Sequence, residues 1–426
     1  MTGDLNRNHA LLPIRTPEQD AGRTSRRFRN WKEDPMKRGR ERILPAALVT
    51  VALIHVSCNP CLIKGRTDNP VRKARSFALS QLKKSLNEIP AGRFPIRTEG
   101  SGAWELTPPT TWTSGFYPGC LWLAQRLSGD SSWIQPARTK TEELSGQQNN
   151  RDTHDIGFMI FDSFGNGYRL KPSEAYRKVI LQSANSLASR YNRKAGCIQS
   201  WNGEFQVIID NMMNLEILFW ASKHGGGSDL YDIAVSHANQ TIRNHLRGDG
   251  SAFHVVVYDT ATGEVREKRT AQGLAAGSAW ARGQAWGIYG FTLCYRETRD
   301  ADYLKTAVQM ADYFIHHLPA DHVPFWDLNL PPDHPKKYKD ASAAAIALSG
   351  LLELRNYVED RSKYDEVIRK MMGSLAGHYL SAGTGSSGIL AHSAYNVNSK
   401  NPFDWDASTI WGDYYFLEAL ERYREQ

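Results

Sequence analysis

From residue 70 onward, apolar residues return every three to four positions, the spacing that gathers them on one face of an α-helix. The pattern breaks at polar, Gly- or Pro-bearing junctions and predicts twelve helices, over 71–88, 113–128, 131–147, 154–165, 172–190, 208–224, 229–245, 278–298, 301–317, 340–357, 361–379 and 408–424. Gly157 and Gly165 fall inside the 154–165 window and weaken that helix, since glycine disfavours a helix interior by about 1 kcal/mol relative to alanine. Strand-like alternation is rare, with Phe253 to Tyr258 the clearest case. No linker-like shift in composition divides residues 70–426, so they read as one all-α domain. Twelve helices in one domain suit six helical hairpins closed in a ring, the (α/α)6 barrel. No short repeat of identical residues is present, so the hairpins are inferred from periodicity and spacing. In such a ring the inner helices line a cavity and the loops entering them form one rim. The Gly- and Trp-bearing junctions Thr111 to Gly119, Cys197 to Gly203, Gly273 to Gly287 and Asn401 to Gly412 are the candidate rim.

The first sixty residues differ. Residues 1–35 are polar, Arg-rich and without apolar periodicity, and are expected to be a mis-called start or an unfolded extension. From Met36, Lys37, Arg38, Arg40 and Arg42 precede an uncharged apolar run, Ile43 to Val56, then Ser57 and Cys58, the layout of a secretory signal over 36–58. The run is shorter than the roughly 20 residues of a spanning helix, so no integral membrane span is expected. Cys58 is read either as the lipid-carrying cysteine of a bacterial lipoprotein or as a neighbour of a simple cleavage site. The protein is thus expected to be exported, periplasmic or lipid-anchored at the cell envelope. Cys61 makes no second pair with a downstream motif, and Cys120, Cys197 and Cys294 are expected to be buried free thiols. Of the net charge of +7, residues 1–42 supply +5. The nearly neutral body offers no broad phosphate-facing field, and no nucleic-acid partner is expected.

Twelve tryptophans are the strongest compositional signal, with Trp104, Trp112, Trp201, Trp280, Trp286, Trp405 and Trp411 at loops or junctions. An indole stacks on the C–H face of a pyranose while polar neighbours bond its hydroxyls, although each Trp taken singly also fits a core. Trp122, Trp133 and Trp220 sit in apolar helix runs and read as core. Two acids stand out in apolar settings: Asp155, beside Asp152 and His154 in RDTHDIGFM, and Asp210 in VIIDNMMNLEILFW. Asp210 at a helix start fits an N-cap as well as a functional acid. A desolvated aspartic acid with a raised pKa can hold a proton at neutral pH and deliver it. The thirteen histidines form neither HxxxH nor HExxH, so no catalytic metal or other cofactor is expected. SFGNGY, Ser163 to Tyr168, lacks the lysine of a phosphate loop, and no GxSxG elbow exists.

Taken in order, TWTSGFYPGCLW (Thr111 to Trp122), THDIGFM (Thr153 to Met159), SFGNGYRL (Ser163 to Leu170), IIDNMMNLEILFWA (Ile208 to Ala221), DGSAFHVV (Asp249 to Val256), KRTAQG (Lys268 to Gly273), SAWARGQAWGIYGF (Ser278 to Phe291) and DASAAAIA (Asp340 to Ala347) resemble the unsaturated glucuronyl hydrolases, glycoside hydrolase family 88. The resemblance implies the (α/α)6 barrel and removal of a 4,5-unsaturated uronic acid from the non-reducing end of lyase-generated oligosaccharides. It implies Asp210 as general acid and base and Asp155 as a second essential carboxylate, often labelled nucleophile. The implied chemistry is hydration of the C4–C5 double bond, so no covalent glycosyl enzyme is needed, unlike ordinary retaining glycosidases. Asp210 gives a proton to C4 and, alone or with His254, takes one from the water that adds to C5. By the same matching Lys268, Thr270, Gln272, His254, Arg282 and Trp286 are substrate contacts, with Trp112, Trp201 and Trp280 as stacking or pocket residues. Arg282, flanked by Trp280 and Trp286, is expected to grip the uronate carboxylate with its planar fork.

Three other readings stay open on the sequence. One is a non-catalytic glycan-binding surface lipoprotein that keeps the Trp platform but needs no paired acids. The others are a hydrolase of pectin-type unsaturated uronides and an ordinary inverting glycosidase. The strings do not choose among chondroitin, hyaluronan, heparin, ulvan and gellan fragments, nor do they set an oligomeric state.

Overall fold

In the computed structural model, which describes residues 69–424, the helices are α1 (Pro70–Glu88), α2 (Phe116–Ser128), α3 (Ile134–Glu142), α4 (Asn166–Leu170), α5 (Glu174–Ala188), α6 (Glu216–Lys223), α7 (Ser228–Asn244), α8 (Ala281–Thr298), α9 (Ala301–His316), α10 (Ala341–Leu354), α11 (Ser362–His378) and α12 (Ile410–Arg424). A π-helical run, Gly157–Gly165, leads into α4, and a 3-10 run, Ile209–Leu215, leads into α6. Helix starts follow from capping chemistry. Asn69 accepts the Val71 amide with Pro70 at the first position of α1, while Ser173, Asp300 and Asp340 cap α5, α9 and α10.

The inner elements pack in a closed cycle: α2 on the π run, the π run on the 3-10 run, then α8, α10, α12 and back to α2. α3, α5, α7, α9, α11 and α1 pack outside them. This is the (α/α)6 barrel. Small residues make the close inner contacts. α10 carries Ala341, Ala343, Ala344, Ala345 and Ala347, all fully buried. A Cβ on Gly290 of α8 would lie 2.5 Å from Met212 Cβ in the 3-10 run, closer than two carbons tolerate.

Two predicted helices take other forms. The window 154–165 becomes a π run, at whose start Asn214 Oδ1 accepts the Phe158 amide at 2.9 Å, a first-turn N–H with no acceptor inside the helix. A Cβ on Gly157 would come within 2.5 Å of the same oxygen, so the glycine is what lets Asn214 in. The window 208–224 splits into the 3-10 run and α6. The expected strand at 253–258 forms over Val255–Tyr258 and joins short strands that the all-helical reading did not include. In chain order these are β1 (Phe94–Thr98), β2 (Trp104–Thr107), β3 (Tyr191–Asn192), β4 (Cys197–Ile198), β5 (Gln206–Ile208), β6 (Val255–Tyr258) and β7 (Val265–Arg269). They pair antiparallel as β1–β2, β3–β4 and β5–β6–β7, and β4 to β6 bury a small hydrophobic cluster of their own, Ala195, Cys197, Phe205, Val207, Val256 and Tyr258.

Cys120, Cys197 and Cys294 are buried free thiols, and burial pushes the Cys197 thiol up to about 12. The extension 1–35, the signal-like segment 36–58 and Cys61 lie outside the described residues. Among the described residues no helix is long and apolar enough to cross a membrane.

Candidate active site

Asp210 follows β5 at the start of the 3-10 run, whose other residues Ile209, Met212, Met213 and Leu215 anchor in the core. It does not cap the run, because the capping position is Ile208 and no side chain bonds there. Its side chain is only 14% exposed, and its Oδ2 has no hydrogen-bond partner. Burial pushes the carboxyl up to about 7. The Arg282 charge opposes this, the negative charge of Asp155 adds to it, and the nearby N–H of Trp286 pulls down slightly without closing a well-aligned hydrogen bond. A carboxyl poised there holds a proton for an appreciable part of the time at neutral pH.

His254 faces it, with Nε2 3.9 Å from Asp210 Oδ2. The tautomer follows from the backbone. The amides of Ala271 and Gln272 both donate to Nδ1, at 3.2 and 3.3 Å, so the ring proton sits on Nε2 and points toward the acid. The ring stacks on Trp280 at 4.3 Å, and burial, with help from Arg282 and His245, drives its pKa down to about 3. The sequence reading let His254 share in taking a proton from water. The geometry instead makes it a neutral N–H donor, because its only lone pair is already engaged.

Asp155 is delivered by the segment preceding the π run. Thr153 bridges to Trp201 in an isolated antiparallel pair, and Thr153 Oγ1 donates to Asp155 Oδ2 at 2.7 Å. Asp155 Oδ1 lies 3.1 Å from His154 Nε2. Trp201 stands edge-on to His154 at 5.9 Å and is one of the two exposed large hydrophobic residues among those described. Asp155 and Asp210, distant in sequence, therefore sit close enough for one charge to shift the other.

Arg282 is bonded within the protein. Its Nη1 bonds Asp340 at 3.0 Å and the Ala394 carbonyl, and its Nη2 bonds the Tyr395 carbonyl at 2.7 Å. Three of the five guanidinium N–H donors are thus engaged by protein acceptors. Its charge still reaches the cavity, where Asp210 and His254 both feel it, and the guanidinium lies between the rings of Trp280 and Trp411. Asp340 pairs with Arg282 while capping α10 through the Ser342 and Ala343 amides. Gln272 donates to the Tyr395 carbonyl at 2.7 Å, so Gln272 and Arg282 together hold the loop around Tyr395 over the site. Thr270 Oγ1 accepts the Gly273 amide at 2.8 Å and shapes the turn that caps His254.

The predicted tryptophans divide. Trp112 is half-buried against Phe158 and Trp411, Trp280 is the His254 platform, and Trp286 is buried between Phe158 and Tyr415. Lys268 is not brought to the acids. It lies on β7 with its ammonium 4.7 Å from the centre of the Phe253 ring. The sequence reading assigned no role to Asp340, Tyr395 or Ser200. Asp340 was detectable as an acid directly before the small-residue run Ala341–Ala345, the pattern of a capped inner helix, whereas Tyr395 carried no local signal. Among the described residues no group of His, Cys, Asp and Glu side chains is arranged to hold a metal ion.

The family profile of Glycosyl Hydrolase Family 88 matches residues 87–419. The unsaturated glucuronyl hydrolase of Formosa agariphila is 43% identical over 324 residues, which cover 74% of this chain and 80% of that protein. That of Bacillus sp. (strain GL1) is 37% identical over 346 residues, 78% of this chain and 90% of its own length. The crystal structure of an unsaturated glucuronyl hydrolase specific for heparin superposes with a TM-score of 0.80 at 39% identity, covering 84% of this chain and 98% of that one. A mutant of the Streptococcus agalactiae enzyme, complexed with dGlcA-GalNAc6S, gives a TM-score of 0.73 at 32% identity, covering 83% and 91%. An (α/α)6 barrel with two converging aspartates at its rim, matched along most of its length, places the chain in glycosyl hydrolase family 88.

Proposed function

We propose that this enzyme removes a 4,5-unsaturated uronic acid from the non-reducing end of lyase-generated oligosaccharides by hydrating its C4–C5 double bond. One observation carries the reading: Asp210, largely shielded from solvent with its Oδ2 unpartnered and its carboxyl pushed up to about 7, lies near enough to the second acid, Asp155, to feel its charge. An enol ether needs a proton at carbon, and a carboxylic acid that stays protonated near neutrality supplies it.

In this mechanism protonated Asp210 gives its proton to C4, and positive charge spreads over C5 and the ring oxygen. Asp155 stabilises that charge from nearby. Water adds to C5 and returns a proton to the Asp210 carboxylate, which restores the acid. His254 donates its Nε2–H to the carboxylate or the incoming water and steadies both without titrating. The hemiketal at C5 then opens, and the hemiacetal left at C1 releases the remaining sugar as an alcohol. The half-buried Trp112 supplies a flat apolar wall, Trp280 backs His254, and the buried Arg282 supplies a positive field suited to a uronate.

The relatives named for unsaturated chondroitin disaccharide and for heparin support glycosaminoglycan-derived fragments as the substrate class. The basic, apolar and small-residue order of 36–58 supports an exported enzyme. The test is to incubate the protein with lyase-generated disaccharides of known sulfation and follow the ultraviolet absorbance of the unsaturated uronate. Loss of absorbance is expected, and cleavage of saturated glucuronides with no such loss would sink the proposal.

A further inference from the structure

The two aspartates arrive on separate segments, 153–155 and 208–211, and one residue between them bonds to both segments. Ser200 lies just after β4 and is fully buried. Its carbonyl accepts the His154 amide at 3.0 Å and the His154 Nδ1–H at 2.9 Å. His154 serves here as a neutral donor, since burial lowers its pKa and its Nε2 has no hydrogen-bond partner. The next residue, Trp201, pairs with Thr153 in the isolated bridge, and Thr153 Oγ1 in turn donates to Asp155 Oδ2.

The Ser200 hydroxyl serves the other acid. It accepts the Ile208 amide at 3.0 Å and donates to Asn211 Oδ1 at 2.7 Å, while Asn211 Nδ2 donates to the Ile198 carbonyl at 3.0 Å. The Ile209 amide is held by the His254 carbonyl at 3.0 Å. Asp210 is therefore fixed by the bonds of the residues on both sides of it, although its own Oδ2 is unpartnered. A hydroxyl accepts and donates at once, and Ser200 uses both capacities where no solvent can replace either.

The geometry points to Ser200 as a positioning residue for the reaction: its carbonyl fixes the Asp155 segment and its hydroxyl fixes the Asp210 segment, so that this one residue sets the spacing of the two acids. It acts through His154, Ile208 and Asn211 rather than by bonding either carboxyl. Spacing matters because one acid must reach C4 while the other faces C5 of the same small ring. A misplacement of about 1 Å in such a pair costs up to about 10²-fold in rate. The other groups that act on Asp210 come from elsewhere: Arg282 and Trp286 from α8, and His254 from the residue before β6. Of the groups around Asp210, Asp155 is the one whose distance the Ser200 carbonyl controls.

This inference deepens the proposed function and rests on it for its purpose, but its first test needs no turnover. In protein carrying carbon-13 aspartate, with Asp210→Asn used to identify the signal, the titration midpoint of the Asp210 carboxyl reports how strongly Asp155 acts on it. Burial raises that carboxyl first, Arg282 opposes, and the Asp155 charge adds to the rise. Ser200→Ala removes the hydroxyl with little change of shape. Released like charges move apart, so the midpoint should fall by roughly half a pH unit. Asn211→Ala breaks the same link from the other side and should lower it alike. In an Asp155→Asn background, where no charge is left to reposition, Ser200→Ala should leave the midpoint where Asp155→Asn alone puts it. Unmoved midpoints in both single variants would overturn the proposal, and so would an equal shift with and without the Asp155 charge, which would mean that water had entered.

The second test is kinetic. Ser200→Ala should lower kcat about tenfold with KM within about twofold, and the alkaline limb of kcat/KM should move down with the Asp210 midpoint. A fall in kcat with the limb unmoved would mark Ser200 as merely structural, and a raised KM at unchanged kcat would make it a binding residue instead. Midpoints that shift as expected in a protein inactive on unsaturated uronides would sink the functional reading and leave the spacing role intact.

Discussion

The two ends of the same inner helices bury acids, and what becomes of each acid follows its partners. At the rim, α8, α10 and α12 begin near Trp280, Asp340 and Trp411, around an Asp210 that has no partner for Oδ2. At the far end, α8, α10 and α12 line a cavity of about 660 Å³ in which Glu216, Glu353 and Glu418 are paired, whereas Asp162 leaves its Oδ2 without a partner and is pushed well above its ordinary value by burial. Arg296 reaches both Glu353 oxygens at 3.0 Å and Glu216 at 2.6 Å, while Arg422 reaches Glu353 at 3.1 Å and Glu418 at 3.3 Å. Burial alone would raise Glu353, yet Arg422 and Arg296 together hold it below the ordinary value. Desolvation is common to the two ends. The partner decides whether it yields a proton donor or a structural clamp.

The sharpest way to break this contrast is to neutralise one acid at each end. Asp210→Asn should lower turnover on the order of 10³-fold while leaving sugar binding largely intact, whereas Glu418→Gln should leave turnover per folded molecule within about threefold. Equal losses in an absorbance assay at matched folded concentration would erase the distinction. Next in size, Glu353→Ala strands the Arg296 and Arg422 charges in the base and should destabilise the fold by about 3–5 kcal/mol in urea unfolding, with activity per folded molecule retained.

Asp210→Asn should move stability the other way. The folded Asp210 binds its proton far more tightly than the unfolded chain does, so wild-type stability declines as pH rises from about 4 through 7 as the buried group is forced to ionise. The amide removes that decline, and Asp210→Asn is expected to be more stable by about 1–3 kcal/mol near pH 7 and nearly equal to wild type near pH 4. Thermal unfolding across that range checks it, and a pH-independent difference would mean that Asp210 is not the titrating group. The smallest effect belongs to the exposed rim. Trp201→Ala should raise KM about five- to tenfold with little change in kcat, as expected of a stacking surface that binds ground and transition states alike.

The barrel was legible because helical periodicity is a local property. Where a neighbour intrudes, the local pattern failed. Asn214 reaches in to take the Phe158 amide at the start of a segment that is a π run rather than the predicted α-helix, an intrusion that no residue between 154 and 165 announces except Gly157. The short strands were missed for a related reason: β3 and β4 have two residues each, too few for alternation to register. At the site, Asp210 and Asp155 could be named in the sequence because a charge in an apolar string is conspicuous. Arg282 was singled out for a substrate carboxylate, while the partners that its folded position gives it, Asp340, Ala394 and Tyr395, lie 58, 112 and 113 positions away and left no local trace.

Residue type and spacing alone determined that the body of this chain is a ring of helical hairpins, that its rim is rich in indole, and that two aspartates are too apolar in setting to be ornamental. Only the folded chain decided what each of those groups does. A carboxyl's proton affinity depends on which dipoles and charges surround it in space, a histidine's tautomer on which backbone atoms reach its ring, and a guanidinium's availability on which acceptors arrive first. Those neighbours come from elements far apart along the chain, so their effects exist only after the ring has closed.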